Sequence, residues 1–276
     1  MNVITNSMFE SIKSALVKNN TQSRNKDILK VEVGNTYTVR LLPNVKNPEK
    51  TFFHYYTFGW TSLCTGQYVA AVSPSSFNAR DPIAETRYRL LKNGTDEEKN
   101  KAKNIIRSEK WLVNAYIVND PVTPENNGKV MVLRYGKQLH KIIMDAIEGE
   151  GAEDLGSRIF DLSEKGSSLK VKVEQQGDYP TYVSSKFSMP KAVEGLDKSK
   201  IDSLYNSIID LETVFTVKSY DELKQMLNEH FFCASDTQEE PVKGKIAKES
   251  AVVAPVTSGE DILEDETVKN LLAGLD

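Results

Sequence analysis

Four short stretches of this chain interleave Arg or Lys with aromatic rings. They are Arg87-Tyr88-Arg89, Arg107 and Lys110 beside Trp111, Arg134-Tyr135-Gly136-Lys137, and the run from Tyr182 to Lys186 and Phe187. A guanidinium or ammonium neutralises a phosphate, and an aromatic face carries an unstacked base at roughly 1–3 kcal/mol per base. Recurring together, these residue types suit a groove for a single-stranded polynucleotide. A duplex reader needs a protruding helix or β-ribbon armed with Arg, Asn or Gln, and none stands out here. Taken one at a time, Trp111 and Tyr135 read better as core rings and Arg134 as a solvated charge. The recurrence is what argues for a groove.

These residues have to be positioned by strands. Trp111 to Val118 is rich in β-branched and aromatic residues, and Asn119-Asp120-Pro121 breaks it. Lys129 to Tyr135 is a second strand, whose two-residue period sends Val130, Val132 and Arg134 to one face and Met131, Leu133 and Tyr135 to the other. Gly136 ends it, and Leu139, Ile142, Ile143, Ala146 and Ile147 follow at helical spacing. Earlier strands are expected at 29–33 and 36–42, with β-forming residues across 51–73 and a charged helix across 93–106. Late strands are expected at 168–175 and 181–187. Two helices close the body, 198–211 and 220–230, the second opened by the capping box Ser219-Tyr220-Asp221-Glu222. Strands divided by turns, with helices inserted and appended, predict an α+β fold: an OB-fold-like Greek-key β-barrel core with helical additions and a disordered acidic tail.

The chain has 276 residues and a net charge of −4, which at first argues against a polyanion partner. The charge is unevenly placed. Ten acids and four lysines from Asp236 to Asp276 leave the preceding residues at +2, so a nucleic-acid site has to be a local patch. Cys64 and Cys233 lie far apart in sequence, make no disulfide framework, and fit a reducing compartment. The first residues carry Glu10, Lys13 and Lys18 without a continuous apolar core, so no signal peptide is read there. No apolar run approaches the ~20 residues of a membrane span, and a soluble, intracellular protein is expected.

Three regions follow. Residues 1–26 form a basic arm, with Phe9, Ile12 and Leu16 on one side of a short helix. Residues 27–234 form the binding core. Residues 235–276 contain no Phe, Trp or Tyr and read as disordered. Within that tail Asp261, Ile262, Leu263, Leu271, Leu272 and Leu275 combine acids and leucines as in a peptide that folds into a partner's groove.

The segment from Trp111 to Ile147 is similar to the most recognisable stretch of the single-stranded-DNA-binding proteins of T-even-type tailed phages. The pattern DP-x-x-PEN-x-GKV stands at Asp120 to Val130, and R-[FY]-GK at Arg134 to Lys137. Shorter echoes are Val39 to Pro43, Ser184 to Phe187 and Ser219 to Leu223. The resemblance implies an OB-fold core with a helical subdomain and a cleft for single strands. It implies an arm for cooperative self-association, a tail that recruits phage replication and recombination proteins, and action in the cytoplasm of the infected host. It places Arg107, Lys110, Trp111, Arg134, Tyr135, Tyr182, Lys186 and Phe187 at the cleft. It also implies a structural zinc on one His and three Cys. Here His54 to Ala84 offers only His54 and Cys64, with Pro82-Ile83-Ala84 where a Cys-bearing turn would stand. Two ligands do not close a tetrahedral site, so no zinc is expected, and Tyr55, Tyr56, Phe58, Trp60 and Tyr68 are expected to hold the lobe by packing. The arm also lacks the family's basic run followed by Ser/Thr.

There is no G-x-x-x-x-G-K-[ST] loop, no G-x-G-x-x-G, and the three histidines fall in separate elements, so an enzyme is not expected. Two other readings stand beside single-stranded-DNA binding: an RNA-binding OB-fold protein, and an acidic-tailed scaffold with no nucleic-acid role.

Overall fold

The computed structural model describes residues 27–233. The arm (1–26) and the tail (235–276), with its Asp261–Leu275 peptide, lie outside them. Among the described residues nine strands run in chain order as β1 (Thr36–Leu42), β2 (Phe52–Thr61), β3 (Tyr68–Val72), β4 (Ile106–Asn119), β5 (Val130–Tyr135), β6 (Leu169–Lys172), β7 (Glu174–Gln176), β8 (Tyr179–Thr181) and β9 (Lys186–Phe187). The α-helices are α1 (Pro82–Asn93), α2 (Asp96–Lys103), α3 (Lys137–Glu148), α4 (Lys198–Asn206) and α5 (Tyr220–Leu227).

β4 is the spine. One of its edges pairs with β2 over Ile106–Val113 and then with β1 over Asn114–Asn119. The other edge pairs with β5, but only from Trp111 to Tyr116. The strand order is β3-β2-β4-β1-β6-β9 with β5 on β4, and every pair within this seven-stranded sheet is antiparallel. Among the described residues no pairing joins the sheet's ends, so the predicted barrel is realised as an open antiparallel sheet. The strand expected at 29–33 is also missing; Ile28 makes a single bridge to Val132 and the chain then turns.

The sheet buries apolar residues on both faces. On one, α3 lays Leu139, Ile143 and Ala146 on Trp111, Leu133 and Tyr135, as its helical spacing predicts. On the other, Tyr55, Leu112 and Val132 meet Leu211 and Val214. A helical lobe forms around Phe58 and Trp60, which pack against Ile83, Leu90, Leu223 and Leu227. Here α1 starts cleanly: Asp81 accepts from the Ile83 and Ala84 amides at 2.8 and 3.2 Å, and Pro82 takes the first position, where its missing N–H costs nothing. Thr95–Glu98 and Ser219–Glu222 are capping boxes at the starts of α2 and α5. Of the aromatics expected to hold this lobe, Phe58 and Trp60 are buried in it, whereas Tyr55 is buried in the separate cluster with Leu211 and Val214. Tyr68 is 71% exposed, because β3 is an edge strand and the hydroxyl end of the ring lies against Gly59.

Cys64 and Cys233 are joined by a disulfide, a correction to the expectation that they stay apart. The β2–β3 turn and the chain just past α5 are brought together by other bonds too. His230 O accepts from Leu63 N at 2.9 Å and from Trp60 Nε1 at 3.3 Å. Closing so long a loop removes denatured-state entropy worth about 3–5 kcal/mol. In an oxidising buffer Cys233→Ser is therefore expected to lower the urea midpoint, and in dithiothreitol the two proteins should coincide. Equal midpoints without reductant would contradict this.

Candidate nucleic-acid interface

Where β5 gives way at Gly136, the β5-side edge of β4 from Ile106 to Lys110 has no strand beside it among the described residues. The space is a cleft of about 360 Å³, lined by Tyr56, Arg107, Ser108, Glu109, Lys110, Gly136 and Lys137. It holds three cations against one acid. A larger groove of about 460 Å³, near Asn44–Phe53 and Asn206–Glu212, has Lys46 and Lys50 against Glu49, Asp210 and Glu212, and so attracts no polyanion.

Register decides which side chains share a face. Tyr56 stands opposite Glu109 and His54 opposite Trp111, while Trp111 also faces Tyr135 on β5. Arg107 lies flat over the Tyr56 ring, its Cζ 3.6 Å from the centroid, a cation–π stack at the cleft wall. Lys110 and Arg134 project from the other side of the sheet. Lys110 still reaches the rim, since a Cβ added to Gly136 would sit 3.6 Å from its Nζ. Burial, and then the charge of Arg134, pull the Lys110 pKa below its ordinary value. Arg134 is exposed, and although its charge pulls the Tyr55 pKa down, burial outweighs it and pushes that pKa up to about 12. Among the described residues no carboxylate pairs with Arg107, Lys110 or Arg134.

Helix α3 begins at this cleft. Its N-cap is Gly136, which offers no side-chain acceptor, and its first turn holds no acid. The free amides and the positive end of the helix dipole therefore face a rim already carrying Lys110 and Lys137, the requirements of a phosphate site. Gln138 in the same turn accepts from the Tyr182 amide at 2.9 Å, tying the late loop to it.

The four clusters foreseen in the sequence are thus only partly united. Arg107, Lys110 and Lys137 gather at the rim, Arg134 stays on the other side of the sheet near Tyr55, and Tyr182, half-buried, docks beside the start of α3. Lys186 is exposed on β9 directly opposite Lys170 of β6, while Phe187 packs into the core. Arg87 bonds the Ile105 carbonyl at 3.0 Å from α1, and Tyr88, 63% exposed, is covered by Lys92, so this pair belongs to the helical lobe.

The faces of Trp111 and Tyr135 are not open, which corrects the expectation that they offer stacking platforms. Trp111 is 8% exposed and Tyr135 3%. His140 from α3 stacks on Trp111 at 3.9 Å, and His54 lies 4.9 Å away at a 29° tilt. Burial, then the neighbouring His54, pull the His140 pKa down against the opposing pull of Glu109. The residues missed in the sequence are Tyr56, His54 and Glu109. Their signal was parity: on adjacent strands they alternate with core residues in step with Arg107 and Trp111.

Cys64 is bonded to Cys233, and the His54 Nε2 lies 2.8 Å from Glu109. Among the described residues no group of three or more His, Cys, Asp or Glu is placed to hold a metal.

A family profile described as gp32 DNA binding protein like matches residues 33–231. The chain belongs to the gp32-like family. It is 26% identical over 194 residues to the single-stranded DNA-binding protein of Enterobacteria phage T4, an alignment covering 67% of this chain and 62% of that protein. The single-stranded DNA-binding protein of Enterobacteria phage T2 matches with the same identity and coverage. The alignment thus spans less than two thirds of those relatives' length. The gp32-like match encloses the whole β2–β4–β5–α3 unit that builds the cleft.

Proposed function

We propose that the protein binds single-stranded DNA with little sequence preference and acts without catalysis in phage DNA replication, recombination and repair. The observation that carries this is the cationic rim of Arg107, Lys110 and Lys137 around the uncapped start of α3, with Tyr56 in its wall. Phosphates would lie along the rim and the α3 amides, and a base would stack on the Arg107–Tyr56 pair. Lys186, Lys170 and Tyr182 would extend the track along β6 and β9. Family membership supports the reading, as do the phage T4 and T2 relatives, which are single-stranded DNA-binding proteins.

The finer architecture is read as an opened variant of the OB-fold, on the strength of one long strand shared between β2, β1 and β5. The fold is taken to work without zinc. The arm is assigned to self-association along DNA, and the leucine-bearing acidic tail to recruitment of replication and recombination proteins, both in the infected host cell. No described helix is long and apolar enough to cross a membrane, and no membrane partner is proposed.

The test is fluorescence anisotropy of full-length protein with labelled oligo(dT), the matching duplex, and oligo(U). Tight, salt-sensitive binding to oligo(dT) with at least tenfold weaker duplex binding is expected. Equal affinity for oligo(U) would favour the RNA reading, and no binding to any of the three would favour the scaffold.

A further inference from the structure

The one acid in the cleft is held in an unusual way. Glu109 sits on β4 directly across from Tyr56, with Arg107 and Trp111 its neighbours on the same face. One carboxylate oxygen lies 2.8 Å from His54 Nε2, and the other accepts from Lys137 Nζ at 3.1 Å. Its side chain is 25% exposed, against 74% for Lys137. Burial pushes the Glu109 carboxyl up, but Lys137 and His54 together outweigh it and hold it below the usual carboxylate value. Both oxygens thus face groups that can also bind a phosphate, at the edge where the α3 amides point.

We propose that Glu109 is a built-in stand-in for a backbone phosphate. In the free protein it holds Lys137 and His54 in place, and it gives them up when a DNA phosphate enters the cleft. The inference rests on the single-stranded-DNA reading and adds two ligands to it, His54 and a Lys137 that must change partners. An ordinary surface ion pair is worth little, but here the pair gathers cations that would otherwise repel one another beside Arg107 and Lys110. The exchange has a signature in salt dependence. When Lys137 moves to phosphate, DNA releases a counterion, but the freed carboxylate takes one up. The wild-type Lys137 contact therefore adds nothing net to the slope, whereas an unpaired lysine adds about 0.7 log unit per phosphate on a single strand.

The experiment compares full-length wild type, Glu109→Gln, Lys137→Gln and the double variant on labelled oligo(dT) over a range of salt, with urea midpoints to verify folding. Glu109→Gln is expected to bind about tenfold tighter at low salt, with a slope steeper by about 0.7 log unit. Lys137→Gln should leave the slope of the wild type unchanged but remove the gain in the Glu109→Gln background. If Glu109→Gln lowers the midpoint, the slope of Lys137→Gln alone still decides the matter. A slope shallower by about 0.7 for that variant, or unchanged affinity and slope for Glu109→Gln, would overturn the proposal. Weaker binding by a folded Glu109→Gln would also overturn it, pointing to a carboxylate that accepts from a base. Wild type that fails to bind oligo(dT) at all would instead sink the single-stranded-DNA reading on which the proposal stands.

Discussion

Arg107→Ala combined with Lys110→Ala is expected to weaken binding to oligo(dT) by about 100-fold at low salt and to make the salt dependence shallower by about 1.4 log units. Neither side chain is paired with a carboxylate among the described residues, so each phosphate contact is made without breaking an ion pair. Arg107 is exposed over Tyr56, and Lys110 stands at the mouth of the α3 amides. Loss of both removes two contacts together with their counterion release. Stability should change little, since Arg107 leaves only a ring face uncovered and Lys110 is relieved of a like charge at Arg134. An unchanged slope in a titration from low to moderate salt would remove both residues from the DNA path.

The second large effect separates the platform from the core. Trp111→Ala should cost about 3–5 kcal/mol of stability, as expected for emptying a buried ring site. Here the ring stacks on His140 and lies beside Tyr135. Where the variant remains folded, its affinity for oligo(dT) should stay within a few-fold of wild type. Tyr56→Ala should do the reverse. Its ring is only half-buried, so folding loses roughly 1 kcal/mol, whereas binding loses about 1–3 kcal/mol for one stacked base. Urea melts and anisotropy titrations on the same preparations check both. If Trp111→Ala abolished binding at full stability, the base platform would have been placed on the wrong ring.

That reversal shows what the sequence could and could not carry. The β4–β5–α3 unit was legible because alternation, the Asn119-Asp120-Pro121 break and the spacing from Leu139 to Ile147 are local signals. The cations at its ends were legible for the same reason. Which aromatics stay open was not, because exposure depends on what covers each face. Residues 111–117 of β4 are buried without interruption, so parity alone could not mark Trp111 as covered. The cover is His140, placed there by the way α3 folds back over the sheet. Tyr56 escaped notice because it lies in a run rich in rings, and only the register with Glu109 and the stack under Arg107 single it out.

Helix α1 has a start legible in the sequence, an Asp81 cap followed by Pro82, at the place where the resemblance implies a metal-bearing turn. The disulfide was hidden for a different reason. Nothing local links the β2–β3 turn to the end of α5; the packing of Leu223 and Leu227 on Phe58 and Trp60, with the bonds from Leu63 and Trp60 to the His230 carbonyl, brings them together.

The central claim is that a strand of DNA lies along the rim with a base on the Arg107–Tyr56 wall. Photo-crosslinking of full-length protein to oligonucleotides carrying 5-iododeoxyuridine, followed by peptide mass spectrometry, tests it most directly, because the halogenated base couples to the ring it stacks on. The account predicts the principal crosslink at Tyr56, lost in Arg107→Ala with Lys110→Ala. Crosslinks confined to Phe52 or Phe53 in the neighbouring groove, or to Tyr88 on the helical lobe, would contradict it.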